Sequence, residues 1–87
     1  MSLNFIIQIW KENDMYVAYS PLIDLSSCGN TLEEAKKNLY EAIECFIEEA
    51  KQRNVLKDIL KEAGFKQLKN NWESPSFLSF ENAQISI

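Results

Sequence analysis

The sequence predicts an α+β domain in two layers: a three-stranded antiparallel meander, a long helix, a short helix and a fourth strand. Three observations support this. β-branched and aromatic residues are concentrated in two N-terminal stretches, LNFIIQIW and MYVAYS. Apolar residues then recur at spacings of three and four, and near the end of the chain they alternate with polar ones. A chain of 87 residues is expected to form one domain, residues 1–87.

The two N-terminal stretches predict a β-hairpin, because the residues between them, 11–14, are polar and typical of a turn. A turn centred near Asn13 would place Trp10 opposite Tyr16. Side chains alternate across a strand, so one face is expected to carry Phe5, Ile7, Ile9, Val17 and Tyr19. The other face is expected to carry Ile6, Trp10 and Tyr16. Pro21 ends the second strand, and a short third strand is expected over residues 24–28.

The sequence GNTLEEA, which begins at Gly29, predicts the start of a helix. Thr31 is a favoured N-cap, and Glu34 stands where its carboxylate can reach back to the Thr31 backbone N–H in a capping box. Gly29 is interpreted as the residue that permits the backbone angles of a sharp entry. A phosphate-binding loop would need more glycines and a Gly-Lys-Ser/Thr sequence, so this corner is interpreted as a helix start.

The long helix is predicted over residues 31–52. Its apolar stripe consists of Ala35, Leu39, Ala42, Ile43, Phe46, Ile47 and Ala50. Asn54 is predicted to cap a second helix over residues 55–63, which Gly64 ends. Residues 65–75 are expected to form a hairpin-like or irregular loop. Apolar residues at positions 83, 85 and 87 alternate with polar ones, which predicts a final strand within residues 80–87. A right-handed crossover would place this strand parallel to a strand of the meander.

Composition excludes several functions. The formal net charge is −4, from 13 acidic and 9 basic side chains, which opposes direct nucleic-acid binding by this chain alone. The chain has no histidine, the commonest general base and metal ligand. Cys28 and Cys45 are far apart and are interpreted as reduced, partly buried thiols, so no metal or cofactor is expected. No apolar run reaches the roughly 18–20 residues that cross a membrane, and a cytoplasmic location is expected.

Catalysis is not expected either. Two-metal hydrolysis needs converging carboxylates, one of them in the middle of the first strand, and LNFIIQIW contains none. Asp14 is expected in the turn and Asp24 beyond the second strand. Ser26 and Ser27 would lack a histidine base and are interpreted as polar residues at a strand edge.

The stretches DMYVAYSP and GNTLEEAKKNLYEAIECFIEE resemble the HicB-like antitoxin domain. That family's pattern is a strand ending in Tyr-x-Pro, then Gly-Asp/Asn-Thr-x-Glu-Glu-Ala and a helix with Asn-Leu-x-Glu-Ala-Ile. The resemblance covers roughly residues 3–50. It implies a partial ribonuclease H-like fold and a partner that is a small basic mRNA-cleaving toxin. The family's Leu-Pro-Gly-Cys turn is replaced here by residues 22–25, and no separate DNA-binding domain is expected.

Two surfaces are predicted to recognise partners. Glu41, Glu44 and Glu48 recur on the solvent side of the long helix and are candidates for contact with a basic toxin, or else form a solvated helix face. Ile6, Trp10 and Tyr16 are the candidate interface of a homo-oligomer, with cover by residues 65–75 as the alternative. The favoured function is therefore a non-catalytic, antitoxin-like binding module. The alternative is a stand-alone homo-oligomeric scaffold or binding domain without a toxin.

Overall fold

The computed structural model describes residues 2–87 and has an α+β fold. Three antiparallel strands, β1 (Gln8–Glu12), β2 (Met15–Ser20) and β3 (Leu25–Gly29), form a sheet in the order β1-β2-β3. The long helix α1 (Leu32–Gln52) packs mainly against β3 and β2. It is followed by the short helix α2 (Leu56–Glu62) and a two-stranded hairpin, β4 (Lys66–Gln67) and β5 (Trp72–Glu73). The predicted meander, long helix and short helix are confirmed.

The register of the first hairpin differs from the prediction by one residue. Glu12 pairs with Met15, so the turn consists of Asn13 and Asp14 rather than being centred on Asn13. Asn13 has a φ of 55°, a left-handed conformation that asparagine tolerates better than most residues. Since side chains alternate, a shift of one residue moves every side chain of β2 to the other face relative to β1.

This shift changes which residues share a face of the sheet. Ile9 pairs with Ala18, and Trp10 pairs with Val17. Tyr16 therefore lies on the face that α1 covers, where it packs against the main core. Tyr19 lies on the same face as Trp10. The predicted grouping of Val17 and Tyr19 with Ile9, and of Tyr16 with Trp10, is wrong for this reason.

The main core lies between the sheet and α1. Its buried residues are Ala18, Ala35, Leu39 and Ile43. The predicted stripe of α1 is confirmed: Ala35, Leu39, Ile43 and Ala50 are buried, and Ala42, Phe46 and Ile47 are partly buried. Helix α1 thus covers one face of the sheet with residues that recur at helical spacing.

The start of α1 is fixed by close packing at Gly29. A Cβ atom at this position would lie 2.6 Å from the backbone nitrogen of Ala35 and 2.9 Å from the carbonyl carbon of Glu34. The φ of Gly29 is outside the left-handed region. Glycine is therefore required because the first turn of α1 sits directly on the end of β3, and not because the backbone needs unusual angles, as the sequence interpretation had it.

The N-cap of α1 is confirmed at Thr31, whose Oγ1 accepts a hydrogen bond of 3.0 Å from the backbone N–H of Glu34. Within residues 2–87, the Glu34 carboxylate does not return the second bond of the capping box.

We expect Thr31→Ala to lower the free energy of unfolding by about 1 kcal/mol, because the N–H of Glu34 loses its acceptor. Urea denaturation of both proteins measures the difference. Thr31→Ser keeps the acceptor and is the control. An equal loss in both variants would contradict a role as cap.

The end of α1 is formed by Asn54 in a left-handed conformation, with a φ of 62°. The N–H of Asn54 donates to the carbonyl of Lys51 at 3.1 Å, and that of Val55 donates to the carbonyl of Ala50 at 3.0 Å. These are the two bonds of a Schellman motif. The prediction that Asn54 caps α2 is wrong, since the N-cap position of α2 is Val55, which makes no side-chain cap hydrogen bond.

Helix α2 ends in the same way at Gly64, as predicted, with a φ of 95°. The N–H of Phe65 donates to the carbonyl of Leu60 at 2.9 Å, and that of Gly64 donates to the carbonyl of Lys61 at 3.1 Å. The motif brings Phe65 back onto Leu60, and both are buried in a second core. A local backbone motif therefore positions the chain that follows.

The second core joins α2 to the β4–β5 hairpin. Leu60, Phe65 and Trp72 are its buried members, and Leu3, Phe5, Leu22, Leu56 and Ala63 pack around them. The ring centroids of Phe5 and Phe65 are 5.5 Å apart. Since Phe5 also packs against the main core, it links the two clusters. The hairpin-like interpretation of residues 65–75 is confirmed.

Residues 74–87 contain neither helix nor strand, so the strand predicted within residues 80–87 is wrong. Alternation marks a segment with one apolar face, but a strand also needs a neighbour for its backbone N–H and C=O groups. Within one chain this segment pairs with no strand of the described residues. The crossover that would have completed a four-stranded sheet is therefore not formed.

Candidate protein-binding surfaces

Glu41, Glu44 and Glu48 form an acidic stripe along α1. At about 100° per residue they lie within about 60° of one another around the helix, opposite the buried positions of α1. All three side chains are exposed. Among residues 2–87, the only salt bridge within 4.0 Å joins Arg53 to Glu49. The carboxylates of the acidic stripe therefore face solvent without an ionic partner from the described chain.

Glu44 also lines a groove between α1 and the N-terminal residues Leu3, Asn4 and Phe5. The groove holds about 400 Å³. It combines apolar side chains with Glu44, Lys51 and Tyr40. The apolar lining consists of Leu3, Phe5, Ile43, Ile47 and Leu56. The apolar lining can accept the stem of a lysine or arginine side chain, to whose head Glu44 offers an opposite charge and Lys51 a like charge.

The predicted oligomer interface is not assembled as expected. Trp10 is 41% exposed, and its ring meets that of Tyr19 edge to face, with centroids 6.3 Å apart. Tyr16, by contrast, faces α1, with the Lys11 Nζ 5.6 Å from its ring centroid. Ile6 is partly buried and lies before β1. Tyr16 is therefore removed from the predicted interface by the hairpin register.

Tyr19 donates a hydrogen bond of 2.8 Å from its hydroxyl group to Oδ1 of Asp24. This bond, partial desolvation and the negative charge of Asp24 raise the pKa of the Tyr19 phenol above its ordinary value of 10.0. Asp24 has a φ of 51° at the end of the turn between β2 and β3. The pair thus ties the turn to the exposed side of the sheet.

We expect Asp24→Asn to lower the pKa of Tyr19, because the negative charge is removed while asparagine still tolerates the left-handed backbone. A raised pKa means that the pair stabilises the fold below about pH 10 and that this contribution is lost as the pH rises through the folded-state pKa. In a protein that carries Tyr16→Phe and Tyr40→Phe, Tyr19 is the only tyrosine. Ultraviolet titration of this protein therefore measures the pKa of Tyr19 alone. Identical titration curves with and without Asp24→Asn would contradict this assignment.

Asn38 has a structural role that residue-by-residue reasoning missed. Its Nδ2 donates a hydrogen bond of 2.9 Å to the backbone carbonyl of Cys28, which ties α1 to β3. Gly29 and Thr31 act at the same junction through close packing and capping. The sequence signal was the Asn-Leu-x-Glu-Ala-Ile motif, in which Asn38 is the first residue.

The C-terminal segment, residues 76–87, carries a group of exposed apolar side chains. Every residue in it is exposed. Its large hydrophobic side chains are Phe77, Leu78, Phe80, Ile85 and Ile87. Phe77 and Phe80 line a groove with residues 6–9. Sequence reasoning missed this surface because it assigned residues 80–87, the larger part of the segment, to the sheet.

Several other features bear on the chemistry. Cys28 and Cys45 are free, as predicted, but both are exposed rather than partly buried. Over residues 2–87, no three His, Cys, Asp or Glu side chains are grouped as a metal site would require. None of the helices in this range combines the length and apolar character needed to cross a membrane.

Comparison of the chain with protein-family models, curated proteins and solved structures yields no match.

Proposed function

We propose that this chain is a non-catalytic protein-binding module of the antitoxin type, which neutralises a small basic mRNA-cleaving toxin by covering its active site. The observation that carries the proposal is the acidic stripe beside the groove. Glu41, Glu44 and Glu48 present three carboxylates in a row, and Glu44 borders apolar side chains.

The combination favours a basic protein over a small molecule. A lysine or arginine from a partner would place its aliphatic stem on Phe5 and Ile47 and its charged head near Glu44. The other two carboxylates would meet further cations along the helix. A net charge of −4 adds long-range attraction, which speeds the encounter with a positively charged partner.

The resemblance to the HicB-like antitoxin domain supports the same conclusion. It covers roughly residues 3–50, a range that includes the sheet, most of α1 and the acidic stripe. In that family the partner is a small basic ribonuclease. The partner that the resemblance implies is therefore positively charged, which is the charge that the acidic stripe is suited to bind.

An RNA-cleavage assay tests the proposal, with the product of any short basic reading frame that adjoins this gene as the toxin. We expect the wild-type chain to suppress cleavage at stoichiometric concentration. The triple variant Glu41→Gln, Glu44→Gln, Glu48→Gln should need about 100-fold more protein, since each lost charged contact contributes about 1 kcal/mol.

The matched control is Asp58→Asn, Glu62→Gln, Glu73→Gln. It removes the same charge from three exposed positions on α2 and β5. We expect this control to suppress cleavage as well as the wild type does. Equal inhibition by both triple variants would contradict the acidic stripe as the contact. Failure of the wild type to inhibit would favour the stand-alone homo-oligomeric scaffold.

A further inference from the structure

We propose that residues 81–87 of one copy form a β-strand on the free edge of β1 in a second copy, so that two chains exchange their C-terminal segments. This inference does not depend on the proposed function, since it concerns how the chain associates with itself. It rests on three observations. The outer edge of β1 is unpaired, residues 81–87 have the sequence pattern of a strand without being paired, and this segment follows directly after residues that lie beside the start of β1.

The acceptor is the outer edge of β1. The strand order β1-β2-β3 leaves one side of β1 without a partner among the described residues. An exposed edge presents unpaired N–H and C=O groups, which readily accept another strand. A groove at the start of this edge is lined by residues 6–9, of which Gln8 and Ile9 belong to β1, together with Phe77 and Phe80. Since consecutive residues of a strand point to opposite faces, a groove that touches both Gln8 and Ile9 lies at the edge rather than on one face.

The donor is the end of the chain. Ala83, Ile85 and Ile87 alternate with Asn82, Gln84 and Ser86, which is the pattern of a strand with one buried face. In the single chain, however, Ile85 is 76% exposed and Ile87 is fully exposed. The segment has the side chains of a strand but no neighbour to pair with.

The geometry favours a second copy over the chain's own β1. Phe77 and Phe80 line the far side of the groove beside residues 6–9, so residues 81–87 of the same chain follow after it and lead away from it. Fully extended, seven residues span about 23 Å, enough to reach a neighbouring molecule. The radius of gyration is 14.9 Å. A compact chain of this length would have a radius of gyration of about 12 Å. The larger observed value agrees with a segment that projects from the domain.

Reciprocal exchange would also close the assembly. In a two-fold dimer each copy donates one strand and accepts one, so both β1 edges are covered and no further copy can add there. The apolar side of the segment, with Ile85 and Ile87, would then be buried in the dimer.

The test is the molecular mass in solution, measured by light scattering at matched concentration. We expect the wild type to be a dimer. The double variant Ile85→Lys, Ile87→Lys should dissociate about 100-fold more readily, because it places charges on the buried face of the strand. The control Gln84→Lys, Ser86→Lys adds the same charge to the other face and should remain dimeric.

Two further measurements separate the alternatives. A synthetic peptide of residues 76–87 should compete for β1 and convert the dimer into a monomer with one bound peptide. Val17→Glu, which lies on the same exposed face as Trp10 but on the central strand β2, should break a dimer formed through that face and should leave strand exchange intact. A monomeric wild type, an equal effect of both lysine pairs, or dissociation by Val17→Glu alone would overturn the proposal.

Discussion

Gly29→Ala should lower the free energy of unfolding by about 3 kcal/mol or more, because the added methyl group has no room. Its Cβ would lie 2.6 Å from the backbone nitrogen of Ala35, a distance that real Cβ atoms do not adopt. The obstacle is backbone, so no side-chain rotation relieves it. Either the first turn of α1 or the end of β3 must move, and the hydrogen bond between Asn38 and Cys28 crosses the same junction.

Gly64→Ala is the comparison, since Gly64 is the only other glycine in the chain. Its φ of 95° makes any side chain unfavourable, but the nearest atom to an added Cβ is the Cγ of Pro75, at 3.1 Å. We therefore expect a smaller cost of about 1–2 kcal/mol. Urea denaturation of both variants gives the ranking. If Gly29→Ala costs no more than Gly64→Ala, close packing at the start of α1 is not what selects glycine there.

Trp72→Ala should lower the free energy of unfolding by about 3–5 kcal/mol, as truncation of a large buried aromatic residue does. Trp72 is 8% exposed and packs with Leu60 and Phe65. Through Phe5 this cluster is joined to the main core, so we expect the loss to destabilise α1 as well as the β4–β5 hairpin.

Trp10→Ala is the matched control, since Trp10 is the only other tryptophan and is 41% exposed. We expect it to cost less than about 1 kcal/mol. Unfolding followed by the helical circular dichroism signal reports mainly on α1. If Trp72→Ala left that transition unchanged, the β4–β5 hairpin would be an appendage rather than part of the folded unit.

Helix α1 could be predicted because its signals are local. The Thr31 cap and the stripe through Leu39 and Ile43 are read from neighbouring residues, and both are confirmed. The exposure of Glu41, Glu44 and Glu48 follows from the same periodicity. The exact role of Gly29 could not be predicted, since it depends on how closely two elements approach in space.

The hairpin register could not be predicted because it depended on one residue of turn geometry. A turn of Asn13 and Asp14 and a turn centred on Asn13 have the same polar composition, yet they place Tyr16 on opposite faces. The strand expected within residues 80–87 failed for a different reason. Alternation describes the side chains of a segment, whereas strand pairing requires an available edge.

The groove beside Glu44 was beyond sequence reasoning. It forms because residues 3–5 lie beside α1, where Phe5 packs against both cores. No periodic pattern relates Leu3 to Lys51 across that distance in sequence. The acidic stripe was therefore predictable as a helix face, but its association with an apolar groove was not.

Calorimetric titration of this chain with any short basic protein whose gene adjoins its own tests the proposed function most directly. We predict a one-to-one complex whose affinity falls as salt is raised, because the contact is between opposite charges. The Glu41→Gln, Glu44→Gln, Glu48→Gln variant should bind about 100-fold more weakly, and the Asp58→Asn, Glu62→Gln, Glu73→Gln control should bind as the wild type does. Absence of binding by the wild type, or equal binding by both variants, would contradict the account.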